Sequence, residues 1–187
     1  PTVTPGVTVI RMQSLRDERP CRLELAGVTV GNEAVIASGE EAVRLVQSAL
    51  SHMDAARCFD VAGALSWVLE DTVSYARDRR QFGQPIGSFQ VLQHYCADMH
   101  IMLEGLRLGA LYAGWKLSEG MAADHEVAVA CAYAHSVVPR FLGLAHQIHG
   151  AMGVTIEHDL HLYTAHAFAP ARRLAPLSEY LNMVEST

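Results

Sequence analysis

From Gly39 onward the apolar residues recur at helical spacing, segment after segment, and no strand-like alternation returns before the C-terminus. Ser38 precedes an acidic first turn at Glu40 and Glu41, and Ala42, Leu45, Val46 and Leu50 carry the first helix forward. A weak break is expected near Ser51 to Asp54, after which Phe59, Gly63, Trp67 and Val68 resume the pattern as far as Tyr75. A second helix is predicted from about Ser88 to Leu117. It contains Gly105, Gly109 and Gly114, with Ala110 and Ala113 between them. Glycine inside a helix costs roughly 1 kcal/mol against alanine, so its repeated use implies close approach of a neighbouring helix. A third helix runs from about Ala122 to His149, with a kink expected at Pro139 and a stop at Gly150 to Gly153. A fourth is predicted from Thr155 or Glu157 to Phe168, closed by Pro170, and Pro176 opens a last short helix through Met183. Long helices on short connections give a mainly α fold, an antiparallel up-down helical bundle over residues 39–187.

Residues 1–38 read as strands. Val7 to Met12 alternates in part, Arg22 to Leu25 and Val28 to Val30 flank Gly27, and Gly31-Asn32 is a turn signal. Three or four short strands are marginal alone, so they are expected to pair with a missing segment or another subunit. The chain also opens on Pro1 without Met, inside such a strand, as a fragment or processed form of something longer would.

Half of the 187 residues are hydrophobic, enough to bury a core as one domain or one domain with an appendage. The formal charge of -6, without long blocks of like charge, argues against nucleic acid and against an anionic membrane surface. No signal peptide and no uninterrupted apolar span of membrane length is read from the sequence. Cys21, Cys58, Cys96 and Cys131 have neither metal-ligand spacing nor disulfide-scaffold density, and read as reduced core thiols of a soluble cytoplasmic protein.

Chemistry concentrates between Tyr75 and Met99. The first long helix closes on a cationic run, Arg77, Arg79 and Arg80, and Gly83, Pro85 and Gly87 break the pattern. Ser88 then offers an N-cap for a helix beginning at Phe89 and Gln90. Arginines, the amides of Gln81 and Gln90, the ring of Phe82 and a helix N-terminus within so few residues suit a phosphate-bearing aromatic ligand. The same residues suit an ordinary charged corner between two helices. Further on, Gln147-Ile-His-Gly-Ala-Met-Gly153 is by itself a helix stop.

Ten histidines invite a metal reading, above all His158, His161 and His166 with Asp159. His158 and His161 share a helix face, whereas His166 points elsewhere, so solvated or capped histidines are expected and no metal. No nucleophile elbow and no phosphate-cradling loop after a strand is present.

Taken together, these segments resemble the C-terminal half of the acyl-CoA dehydrogenase family over essentially the whole chain. Tyr75 to Gln90, YARDRRQFGQPIGSFQ, is similar to that family's signature around an Arg-x-x-Phe-Gly turn, with Ala97-Asp98-Met99 at the expected distance. Gln147 to Glu157, QIHGAMGVTIE, is similar to its second signature, Gln-x-x-Gly-Gly-x-Gly-x-Thr-x-Glu. Arg22 to Ile36 then looks like the end of a truncated middle β-domain, with family members roughly twice this length.

The resemblance implies an FAD flavoprotein that desaturates the α,β bond of an acyl-CoA thioester. A carboxylate takes the α proton, the β hydrogen passes to flavin as hydride, and an electron-transfer flavoprotein accepts the electrons. It implies a homo- or hetero-oligomer, dimer or tetramer, in which the bundle reaches the FAD of a neighbouring subunit. Carried over by position, Arg79 would pair with the pyrophosphate, Gln81 and Phe82 would line it, and Gln90 would lie nearby. Gln147, Gly150 and Gly153 would meet the adenosine end across the interface. The family's catalytic glutamate is not at its usual places: one falls on Met53, and the other on the stretch Ala171 to Pro176, with an arginine near the expected carboxylate. Asp54, beside the first place, is turned by about 100° on a helix and is a weak candidate for the base. Asp60 is expected to be a buried or interface carboxylate. Ala151 replaces the second glycine of the later signature, and the expected Arg-Asp pair reads Thr164-Ala165. Two roles are compatible with this pattern: a dehydrogenase chain with a displaced base, and a non-catalytic partner subunit of a heteromeric enzyme of the kind that handles steroid side chains. A helical interaction module without cofactor is the third.

Overall fold

The computed structural model of the chain describes residues 4–13 and 20–185. They form two compact units, Pro1–Val46 and Gln47–Thr187.

In the first unit, β1 (Val7–Arg11) pairs antiparallel with β2 (Cys21–Leu25), in the register Val7 to Leu25 and Arg11 to Cys21. Val9, Leu23 and Leu25 are exposed on this hairpin, as strands that need covering would be. Val28 to Val30, expected as a strand, forms none, because pairing ends where the Ala26 amide donates to the Gly6 carbonyl. Gly31-Asn32 leads into a single 3-10 turn, Asn32–Ala34.

Helix α1 (Gly39–Asp78) is unbroken, so the break expected at Ser51 to Asp54 does not occur. The polar residues there are held sideways: Ser51 donates to Asp124 (2.7 Å), and Arg57 pairs with Asp54 one turn away (2.8 Å). The second unit then adds α2 (Gln90–Ser118), α3 (Asp124–His149), α4 (Leu160–Arg173) and α5 (Leu177–Glu185). Contacts fix the directions. Gly105 faces Tyr133 and Gly109 faces Ala130, so α2 and α3 run antiparallel. Cys58 meets Cys131 and Tyr75 meets His149, so α1 and α3 run parallel. Asp60 meets His166 and Trp67 stacks on Tyr163, so α4 opposes α1. The arrangement is the up-down-up-down bundle expected from the helical spacing.

The core is filled by Leu65 and Val68 of α1, Met99 and Leu106 of α2, and Phe141 and Leu142 of α3. Two of the glycines of α2 make room for aromatic rings of neighbouring helices, and Gly109 packs beside Ala130 in ordinary contact. A Cβ on Gly105 would meet the Tyr133 hydroxyl at 2.5 Å, and one on Gly114 the Phe59 ring at 2.9 Å. Cys58 and Cys131 are buried thiols 3.7 Å apart, whereas Cys96 is half-buried and Cys21 is exposed on β2 rather than in a core. Three local expectations give way to packing. Pro170 does not close α4, which continues to Arg173 because Ala167, Ala171 and Leu174 are buried along it. Ser88 does not cap α2: it belongs to a 3-10 turn, Ile86–Ser88, and its hydroxyl donates back to the Pro85 carbonyl (2.7 Å). The span Asp124–Val154 is, against expectation, long and apolar enough to cross a membrane, but half of that apolar window is buried in the bundle, as in a core helix.

Candidate functional site

The α1–α2 corner is built as a miniature hairpin. After the last turn of α1, where the Arg79 amide donates to the Tyr75 carbonyl (2.8 Å), β3 (Arg80–Gln81) pairs antiparallel with β4 (Gln84–Pro85). Its two central residues, Phe82 at φ 53° and Gly83 at φ 81°, are both left-handed, which matches the twist a two-residue hairpin needs. Glycine takes this conformation without strain. Phenylalanine costs about 1–2 kcal/mol there, and its ring is nonetheless 90% exposed. The base of the hairpin is closed by the Ile86 amide donating to the Arg79 carbonyl (2.8 Å), with Ile86 itself buried.

Because α2 starts beside the point where α3 ends, this corner faces the second glycine-containing segment. Gly150, at φ 60°, turns the chain out of α3 into a 3-10 turn, Gly150–Val154, and a Cβ at Gly150 would meet nothing within 4 Å. A cavity of about 560 Å³ lies between the two segments. Arg79, Gln81 and Phe82 line it from the first, Gln147 and Gly150 from the second, and Tyr75, Phe89 and His149 complete the wall. Two further predicted residues are not brought to it. Gln90 is exposed at the start of α2 and outside the lining, and Gly153 is buried, packed against His146, His149 and Leu160. No lining residue carries a carboxylate, and among the described residues the Arg79 guanidinium has no ion-pair partner.

Asp54 lies elsewhere, beside a second cavity lined also by Ser51, Asp124 and Tyr180. Both its oxygens are engaged: Arg57 donates to one (2.8 Å), and the Tyr180 hydroxyl donates to the other (2.7 Å). Burial, and then the bond to Asp54, push the Tyr180 phenol above the ordinary tyrosine range. Asp60 is half exposed in the chain rather than buried, and pairs with His166 (2.9 Å).

The histidines sort differently from their spacing. His161 donates to the His158 carbonyl (2.7 Å) and His166 goes to Asp60, so neither joins His158. His158 instead gathers with His149 and Asp71, their ligand atoms all within 4.8 Å. Spacing could not show this group, because it comes from three separate elements. The one local sign is that Asp71 sits a turn before Tyr75, on the side of α1 that meets the second signature.

Residues 43–174 match the family described as acyl-CoA dehydrogenase, C-terminal domain. The chain belongs to the acyl-CoA dehydrogenase family, and what it represents is that family's helical domain. Among curated relatives, it is 36% identical over 126 residues to the acyl-CoA dehydrogenase IpdE2 of Mycolicibacterium smegmatis, covering 66% of this chain and 38% of that one. It is 33% identical over 167 residues to the acyl-CoA dehydrogenase FadE27 of Mycobacterium tuberculosis, covering 85% of this chain and 44% of that one. The chain thus spans less than half the length of these relatives. The crystal structure of the ChsE4–ChsE5 complex from Mycobacterium tuberculosis superposes with a TM-score of 0.88 at 31% identity, over 99% of this chain and 50% of that one.

Proposed function

We propose that the chain is the FAD-contacting helical part of an acyl-CoA dehydrogenase that desaturates the α,β bond of an acyl-CoA thioester within an oligomer. The observation that carries this reading is the convergence of both signature segments on one cavity whose lining includes no carboxylate and whose guanidinium, Arg79, has no ion-pair partner among the described residues. These residues fit a diphosphate-bearing nucleotide. Arg79 supplies a forked cationic donor suited to phosphate oxygens, and Gly150 leaves open space where a side chain would stand. The exposed amides of Gln81 and Gln147 can donate to the same ligand, and Phe82 offers a ring at the rim. When bound, FAD supplies the hydride acceptor, and an electron-transfer flavoprotein is the proposed outlet for the electrons. The role of this chain's residues is to hold and orient the cofactor's nucleotide end.

A second reading is favoured by the state of the two candidate carboxylates. Asp54 is held by Arg57 and Tyr180, and Asp60 by His166, so neither stands ready to take a proton from carbon. The base is then supplied by a partner, and the chain completes a flavin site in a heteromeric dehydrogenase. The likeness to one chain of a two-component complex supports this role.

The test is the flavin absorbance and native mass of the purified protein, alone and coexpressed with a neighbouring homologue. Yellow protein alone, as a homo-oligomer, supports a self-sufficient dehydrogenase. Colour only in the mixed complex assigns the base to the partner, and colour in neither overturns the flavin reading.

A further inference from the structure

Behind the wall of the cavity, two buried acceptors stand against each other. Asp71 Oδ2 and His149 Nε2 lie 3.2 Å apart without the geometry of a hydrogen bond, and neither atom has a hydrogen-bond partner. The His149 side chain is 0% exposed. Its Nδ1 lies 2.9 Å from the Ala145 carbonyl, which can only accept, so the hydrogen of the neutral ring sits there and Nε2 keeps its lone pair. Burial favours that neutral form, holding His149 below the ordinary histidine range. A carboxylate oxygen and an imidazole nitrogen so placed repel each other and are costly to bury. A cation bound by both atoms relieves the repulsion and satisfies each of them.

The surroundings have the features of a ligand set. With metal–ligand bonds of about 2.0–2.1 Å in a tetrahedral site, ligand atoms stand about 3.3–3.4 Å apart, close to the spacing of this pair. A metal-bound histidine donates its other ring N–H to a backbone carbonyl or a carboxylate, as His149 does to Ala145. The third member is His158, whose Nε2 is 3.7 Å from Asp71 Oδ2, and ligand atoms of all three residues lie within 4.8 Å of one another. His158 has to adjust. Its Nδ1 accepts from the Leu160 amide (3.1 Å), so the metal-free ring carries its hydrogen on Nε2. Ligation through Nε2 shifts that hydrogen to Nδ1 at the expense of the Leu160 bond, which makes His158 the weakest of the three ligands. Two imidazoles and one carboxylate, without a thiolate, suit a borderline divalent transition metal such as zinc, whereas magnesium and calcium prefer all-oxygen shells. Asp71 and His158 are partly exposed, which gives a cation an entry path.

We propose that Asp71, His149 and His158 form a binding site for a divalent transition metal of the zinc class, a clamp that joins α1 to the end of α3 and to the segment before α4. The inference does not rest on the flavin reading. A water completes the coordination. Tyr75 stacks on His149 (4.4 Å between ring centres), so a metal that fixes the imidazole also fixes the Tyr75 ring on the cavity wall.

The test is titration of the chelator-stripped, full-length protein in its native assembly with zinc chloride alone, followed by calorimetry and thermal denaturation. Bound metal is counted after gel filtration. One zinc per chain is expected at this site, with a melting temperature that rises with zinc and falls back when chelator is added. Asp71→Asn and His149→Phe, which keeps a ring against Tyr75, should each weaken binding by about a hundredfold or more, since loss of a group that merely supports a ligand already costs roughly 10- to 100-fold. His158→Gln, at a partly exposed position that the fold tolerates more readily, should weaken it by about tenfold. His161→Gln removes a neighbouring histidine outside the group and should change nothing. Excess magnesium should not compete. Zinc that binds Asp71→Asn and His158→Gln as tightly as the unaltered protein sits on surface histidines and overturns the proposal. An unaltered protein that takes up no stoichiometric zinc overturns it as well.

Discussion

The Tyr180 hydroxyl donates to Asp54 across 2.7 Å while accepting from the Ala175 amide at 3.0 Å, so one phenol ties α5 both to α1 and to the end of α4. Removing it leaves a carboxylate and an amide each short of a partner. Tyr180→Phe is expected to lower stability by about 1–3 kcal/mol, read by urea unfolding. Asp54→Asn should also destabilise, yet leave turnover of the assembled enzyme within a few-fold of normal. A loss of turnover of a hundredfold or more in Asp54→Asn, with the fold intact, would place the base there.

Arg79 is exposed and makes no ion pair among the described residues, so its charge does little for the fold. Arg79→Ala should leave the unfolding midpoint unchanged. It should weaken FAD binding by roughly 10- to 100-fold, the worth of about 1.5–3 kcal/mol for a charge-assisted contact. Unchanged flavin retention on gel filtration would count against the contact.

Phe82 should separate stability from binding. Its left-handed backbone is costly for a side chain that is almost wholly exposed and touches Phe89 only edge-on, at 6.0 Å between ring centres. Phe82→Gly is therefore expected to raise stability by up to about 1 kcal/mol and to lower FAD affinity. Thermal denaturation and flavin titration of the same sample read both. A fall in stability would mean that the ring is held by contacts within the chain.

Lys116 near the end of α2 pairs with Glu126 in the first turn of α3 (2.6 Å). The bond to Lys116, with the Lys116 charge adding to it, holds the Glu126 carboxyl below the usual glutamate range. A carboxyl lowered by folding stabilises above its unfolded titration, near pH 4.3, and loses that contribution as pH falls through its folded value. Glu126→Gln should cost about 1 kcal/mol or less at pH 7, and the difference from the unaltered protein should vanish well below pH 4. A difference that persists at pH 3 would show that charge is not its source.

The bundle was legible in the sequence because long apolar periodicity, small residues and two signature segments all point the same way. Places where one local signal was read alone fared worse. Ser88 has the chemistry of an N-cap but lies in the turn ahead of the helix, and Pro170 has the chemistry of a stop but sits on a helix anchored by Ala167 and Ala171. Of the site, Arg79, Gln81, Phe82, Gln147 and Gly150 meet on one cavity, whereas Gln90 and Gly153 do not line it. The Asp71, His149 and His158 group was hidden because the parallel course of α1 and α3 brings Asp71 to His149, and the segment before α4 folds His158 back onto them.

The small residues on the α2–α3 seam have a consequence for the cavity at its end. The Tyr133 side chain fills the space a Cβ on Gly105 would need, and Gly109 packs beside Ala130, so side chain and helix interlock along this seam. Each of the two helices carries one signature segment: the corner before α2 on one side, and the turn after α3 on the other. The seam works like a calliper whose arms are joined well away from the jaws, so packing along it helps to set the gap between the two signature segments. A substitution along the seam would then be felt at the mouth, although no residue of the seam touches a ligand there.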